Sequence, residues 1–106
     1  MNTLERRDRI LILLSARRKV TVRELSSIFQ VCRATILHDI DVLTPFGCFY
    51  TQDGRNGGII AVDGWYYKPP ILTPVMQKAL EDILTGKEPD RDAIICILQA
   101  YGKKKE

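Results

Sequence analysis

A chain of 106 residues, 45% apolar and 27% charged, has room for one domain or a small domain with an appendage, and its balance is globular rather than disordered or fibrous. Its apolar runs, such as Ile10 to Leu14, fall far short of the ~20 residues a membrane-spanning helix needs. The net charge of +3 is spread evenly, with nine basic and seven acidic side chains in residues 1–67 and seven and six after them, so a polyanionic partner has to be met by placed residues and not by bulk charge.

Five consecutive charges, Glu5 to Arg9, precede a very short apolar patch without a cleavage signal, which argues against a secretory leader. The odd set Cys32, Cys48 and Cys96, widely spaced, suits free thiols in a reducing compartment. A cytoplasmic location is the expectation.

A first helix is predicted from about Thr3, capped by Asn2 with Glu5 three residues on, and with Leu4, Ile10, Leu11, Leu13 and Leu14 on one stripe. Arg17, Arg18 and Lys19 suit the negative end of its dipole, and Lys19 to Thr21 reads as an extended link. Thr21 and Glu24 form a second capping box, opening a two-turn helix with Leu25, Ile28 and Phe29 on its apolar face. Gln30 and Val31 break the pattern. A third helix from about Cys32 to Thr44 buries Ile36, Ile40 and Leu43, and Pro45 marks its end.

From Phe46 the period becomes extended. Cys48 to Gln52 and Ile59 to Val62 read as strands, and the six residues between them, Asp53 to Gly58, carry turn chemistry throughout, which predicts a hairpin with a glycine-rich tip. Asp63 and Gly64 offer another turn before the aromatic trio Trp65, Tyr66 and Tyr67, which reads as core or interface. Lys68, Pro69 and Pro70 mark a boundary. Thr73 and Pro74 then open a helix with Val75, Met76, Ala79, Leu80, Ile83 and Leu84, closed by Gly86. Asp90 or Asp92 caps a last one holding Ala93, Ile94, Ile95, Ile97, Leu98 and Tyr101, and the residues from Gly102 on are expected to fray.

The expected fold is therefore mainly α with a small β-hairpin: a winged helix-turn-helix in residues 1–67, followed by a helical pair in 71–102 for dimerisation or for packing on the winged helix. In that order of elements the helix from about residue 32 to 44 enters the major groove of DNA, while the hairpin tip at 53–58, the wing, meets the minor groove or backbone. The DNA-contacting candidates are Thr21, Arg33, Ala34, Thr35, Leu37, His38, Arg55 and Asn56, with Arg33 in the first turn of the reading helix and Arg55 at the wing tip, where an arginine can enter a narrow minor groove.

The run Arg6, Ile10, Leu11, Leu13 and Leu14, then Val20, Thr21, Glu24 and Leu25, then Val31, Arg33, Thr35, Ile36, Asp39 and Ile40, with the glycine-rich wing to about Val62, resembles the amino-terminal DNA-binding domain of DeoR-type and WYL-domain bacterial transcriptional regulators. The resemblance implies a DNA-binding regulator of bacterial or phage type. Those families usually place glycine in the turn, serine at the cap of the third helix and two arginines before its aspartate, where this chain has Gln30, Cys32, Leu37 and His38. Arg6, Arg7, Arg9, Arg17, Arg18, Lys19 and Arg23 are the basic groups expected to compensate. The families also carry large ligand-sensing domains, for which 39 residues after the winged helix leave no room, so no small-molecule effector domain is expected.

No metal is expected, since no two of the cysteines and His38 have the close spacing of a zinc site, and no cofactor either, since no Gly-Lys-Ser/Thr follows the glycine-rich tip. The single histidine has no recognisable nucleophile and acid partners, which leaves an enzyme the least supported class. The expected partners are double-stranded DNA and a second copy bound through the carboxy-terminal helices, with no membrane; the alternative is a winged-helix module for protein contacts alone.

Overall fold

Asn2 sets the first helix: its side chain accepts a hydrogen bond from the Glu5 backbone nitrogen at 2.8 Å, and α1 runs from Thr3 to Arg17. The computed structural model describes residues 2–54 and 57–102. After α1 come β1 (Lys19–Val20), α2 (Val22–Phe29), α3 (Arg33–Leu43), a 3-10 turn at Thr44–Phe46, β2 (Phe49–Gln52), β3 (Gly58–Ala61), α4 (Pro74–Leu84) and α5 (Arg91–Tyr101). The fold is mainly helical with a small antiparallel sheet and two carboxy-terminal helices.

The Thr21–Glu24 capping box forms in both directions, at 3.0 and 3.2 Å, and fixes where α2 begins. Between α2 and α3 the chain turns on Gln30, which takes the left-handed conformation at φ 54°. Ser26 holds that turn by donating from its hydroxyl to the Val31 carbonyl at 2.5 Å and accepting at its own carbonyl from the Val31 nitrogen at 3.2 Å.

The extended link after α1 is a third strand. Lys19 pairs with Ile60 and Val20 with Ile59, giving the order β1-β3-β2, so the expected two-stranded hairpin is one side of a three-stranded sheet. Gly58 makes this close approach possible. A Cβ at that position would lie 2.7 Å from the Val20 carbonyl oxygen, and its φ of 151° is one that L residues rarely adopt.

Two apolar clusters share α1. Ile10, Leu13 and Leu14 join Val20, Leu25, Ile36, Ile40, Leu43, Phe49, Ile59 and Ala61 in the larger cluster. Ile12, two residues and therefore about 200° round the helix from Ile10, is buried on the opposite side with Val75, Met76, Ala79, Ala93 and Cys96. The expected single stripe on α1 thus needs two corrections: Ile12 belongs to a core, and Leu4 is 78% exposed. Ile28 is likewise on the surface of α2, leaving Leu25 as its fully buried anchor.

A polar seam pins α5 to α1. Ser15, fully buried, donates to Gln99 Oε1 at 2.6 Å and accepts from the Tyr67 backbone nitrogen at 3.0 Å, while the Gln99 amide donates to the Ser15 carbonyl. At the rim Arg9 pairs with Asp90 at 2.5 Å and Arg17 with Asp92 at 2.9 Å. The carboxy-terminal helices therefore pack on the back of α1, opposite the sheet. No helix among the described residues is long and apolar enough to cross a membrane.

Candidate nucleic-acid interface

Three pieces of chain border one open groove of about 710 Å³: the start of α2 (Thr21, Arg23), one stripe of α3 (Arg33, Leu37, Asp41) with Thr44 just after it, and the β2–β3 end of the sheet (Gln52, Asp53, Gly54). The stripe follows from helical geometry, since residues four apart stand above one another on the same face. Its members are exposed because Ile36, Ile40 and Leu43 turn the other side of α3 into the core. Arg23 and Arg33 are exposed residues of the groove lining and make no ion pair among the described residues.

Of the residues predicted to contact DNA, Thr21, Arg33 and Leu37 meet in this groove. Thr21 uses its oxygen as the α2 cap, and Leu37 stands 48% exposed in the middle of the surface. Ala34 and His38 are exposed on α3 but outside the groove lining, and Thr35 is half-buried with its hydroxyl 3.1 Å from the Cys32 thiol. Arg55 and Asn56 lie outside the described residues. Asp41, Gln52 and Asp53 complete the lining; Asp41 was legible as the residue four after Leu37, whereas the sheet residues meet α3 only through the tertiary fold.

The other basic groups of the first 23 residues are mostly engaged elsewhere. Arg6 donates to both oxygens of Asp39, at 2.5 and 3.0 Å, and Arg7 to one at 2.9 Å. Asp39 itself is fully buried. Burial disfavours its charge, but the hydrogen bonds from Arg6 and Arg7 outweigh that and hold the carboxyl below the ordinary range, while the bond to Asp39 raises Arg6. This pair docks the middle of α3 onto the first turns of α1 and so sets how α3 presents its outer stripe. Arg9 and Arg17 close the α5 seam. Arg18 donates to the carbonyls of Trp65 at 2.6 Å and Val62 at 3.0 Å and stacks 4.4 Å from the Tyr66 ring centroid. These arginines hold the fold, and the groove is served by Arg23 and Arg33.

Cys32 occupies the capping position of α3, and its thiol meets the Thr35 hydroxyl in place of a side-chain cap on the backbone. That hydrogen bond lowers its pKa, whereas burial raises Cys48, and burial pushes Cys96 up to about 11. No group of three or more His, Cys, Asp or Glu side chains that could hold a metal ion occurs among the described residues. The chain matches no protein-family model, no curated protein and no solved structure.

Proposed function

We propose that this protein is a sequence-specific DNA-binding transcriptional regulator of the winged helix-turn-helix kind, working in the cytoplasm, with α3 as reading helix in the major groove and the β2–β3 connection as wing. The observation that carries the reading is the convergence of two exposed arginines, Arg23 from α2 and Arg33 from the first turn of α3, on one open groove between the helix pair and the wing. Phosphate contacts of this kind set register, and the apolar Leu37 in the same groove suits a thymine methyl. Arg55 and Asn56 belong to the wing in this reading. Two copies bind paired half-sites one helical turn of DNA apart, ~34 Å.

The test is a fluorescence anisotropy titration of duplex DNA with Arg23→Ala and Arg33→Ala. Each variant is expected to lower affinity and to flatten the dependence of log K on log salt by ~0.9, the loss of one phosphate contact. Unchanged slopes in both variants would remove the groove from the interface. A second reading, a winged helix for protein contacts alone, is favoured by the exposed Leu37 and by the anions Asp41 and Asp53 in the same groove. It predicts no duplex binding even at low salt.

A further inference from the structure

Asp41 is the residue of the groove that phosphate contacts do not explain. It is exposed in the last turn of α3, on the stripe that begins with Arg33 and passes through Leu37, and its carboxylate makes no hydrogen bond or ion pair among the described residues. Along that stripe the charge runs from a cation in the first turn, through an apolar side chain, to an anion two turns on, ~12 Å away. The other charged side chains of the groove lining are Arg23 on α2 and Asp53 after β2. His38 is exposed three residues before Asp41, and Arg55 lies outside the described residues.

We infer, resting on the DNA reading proposed above, that Asp41 determines specificity: it accepts a hydrogen bond from the exocyclic amino group of a cytosine in the major groove and so selects one C·G pair in the bound site. With α3 in that groove, an anion on the stripe meets either phosphates or base edges. Beside a phosphate it is repelled and gains no hydrogen bond, since both groups are acceptors. Among the base edges, guanine shows two acceptors, thymine an acceptor and a methyl group, and adenine an amino group next to the N7 acceptor. Cytosine alone shows an amino donor with no acceptor beside it. A carboxylate, which can only accept, therefore finds an unopposed donor at cytosine. At the other three bases its charge loses water without full replacement, so the same residue rejects them. The spacing adds a register. Leu37 and Asp41 stand one turn apart, ~6 Å, against ~3.4 Å per base pair, which sets the thymine methyl under Leu37 and the cytosine under Asp41 about two base pairs apart.

Selection of bound duplexes from a random-sequence pool by the full chain, followed by anisotropy titrations on the selected site and on random duplex, tests this. The wild type is expected to fix cytosine at one position of the site, and replacing that C·G pair to weaken binding about tenfold. Asp41→Ala is expected to lose the preference at that position alone and to bind the selected site about tenfold more weakly, yet to bind random duplex at least as tightly as the wild type, because a charge like that of the phosphates has gone. Asp41→Asn, whose amide both donates and accepts, is expected to move the preference at the same position from cytosine to adenine. Enrichment of the same bases by wild type and Asp41→Ala overturns the inference and leaves the DNA reading standing. Equal weakening of Asp41→Ala on selected and random duplex also overturns it, by making Asp41 a structural residue. A wild-type chain that binds no duplex overturns both.

Discussion

Replacing Asp39 by alanine removes the carboxylate on which Arg6 and Arg7 converge, and the cost can be worked from the geometry. Breaking a buried ion pair by deleting one partner costs about 3–5 kcal/mol, because a charge is left without its counter-charge. Here the carboxylate is fully buried but the side chains of Arg6 and Arg7 keep 13% and 22% exposure. They can therefore swing to water, which reduces the expected loss to about 2–3 kcal/mol. For a domain of this size each kcal/mol is worth ~4–8 °C, so Tm should fall by ~8–24 °C. Urea and thermal unfolding followed by circular dichroism measure both quantities. The pH dependence supplies an internal control. Asp39 is held below its ordinary pKa in the folded state, so its contribution is fully present above the unfolded value of ~3.9 and is lost as pH falls through the lower folded value. The stability gap between wild type and Asp39→Asn should accordingly be full near neutrality and close in acid. A loss below ~0.5 kcal/mol, or a gap that stays constant down through the acid range, would refute the claim that this pair docks α3 on α1.

Gln30→Gly should stabilise the chain by about 0.5–1 kcal/mol, since the left-handed backbone at φ 54° is unfavourable for glutamine and free for glycine; a destabilised variant in urea melts would show that the side chain contributes more than the strain it carries. Thiol labelling should divide the cysteines: the exposed Cys32, with its lowered pKa, reacts first at neutral pH, Cys48 more slowly, and the buried Cys96 only on unfolding. Mass mapping of the first labelled peptide decides this, and labelling of Cys96 at the rate of Cys32 would contradict the packing of α5 on α1.

The helix starts were legible because they are written in local chemistry: Asn2 before α1, the Thr21–Glu24 box before α2, Thr73 and Pro74 before α4, and the pair Asp90 and Asp92 before α5, of which Asp90 is the cap, its carboxylate accepting from the backbone nitrogens of Asp92 and Ala93. The core side of α3 was equally plain in the spacing of Ile36, Ile40 and Leu43. What pattern reading missed depends on contacts between distant segments. Ile12 breaks the stripe of α1 because that helix is covered on two sides, a fact set by α4 and α5 more than 60 residues away. Lys19 and Val20 become a strand only because β3 offers them an edge, and two residues are too few to announce it. Asp39 sits on the core stripe of α3, where a carboxylate looks misplaced until Arg6 and Arg7 are folded onto it. The groove shows the same division. Arg33 and Leu37 could be taken from the spacing along α3, whereas the retirement of Arg6, Arg7, Arg9, Arg17 and Arg18 into internal bonds, which leaves Arg23 beside Arg33, needed the three-dimensional arrangement.

The most direct test of the DNA reading is the affinity of the wild-type chain for random duplex DNA, measured by anisotropy from low to physiological salt. Two arginines on the phosphates predict a log K that falls linearly with log salt, with a slope of at least ~1.8 in magnitude. Absence of binding at the lowest salt would contradict the account and leave the groove beside Leu37 to a protein partner.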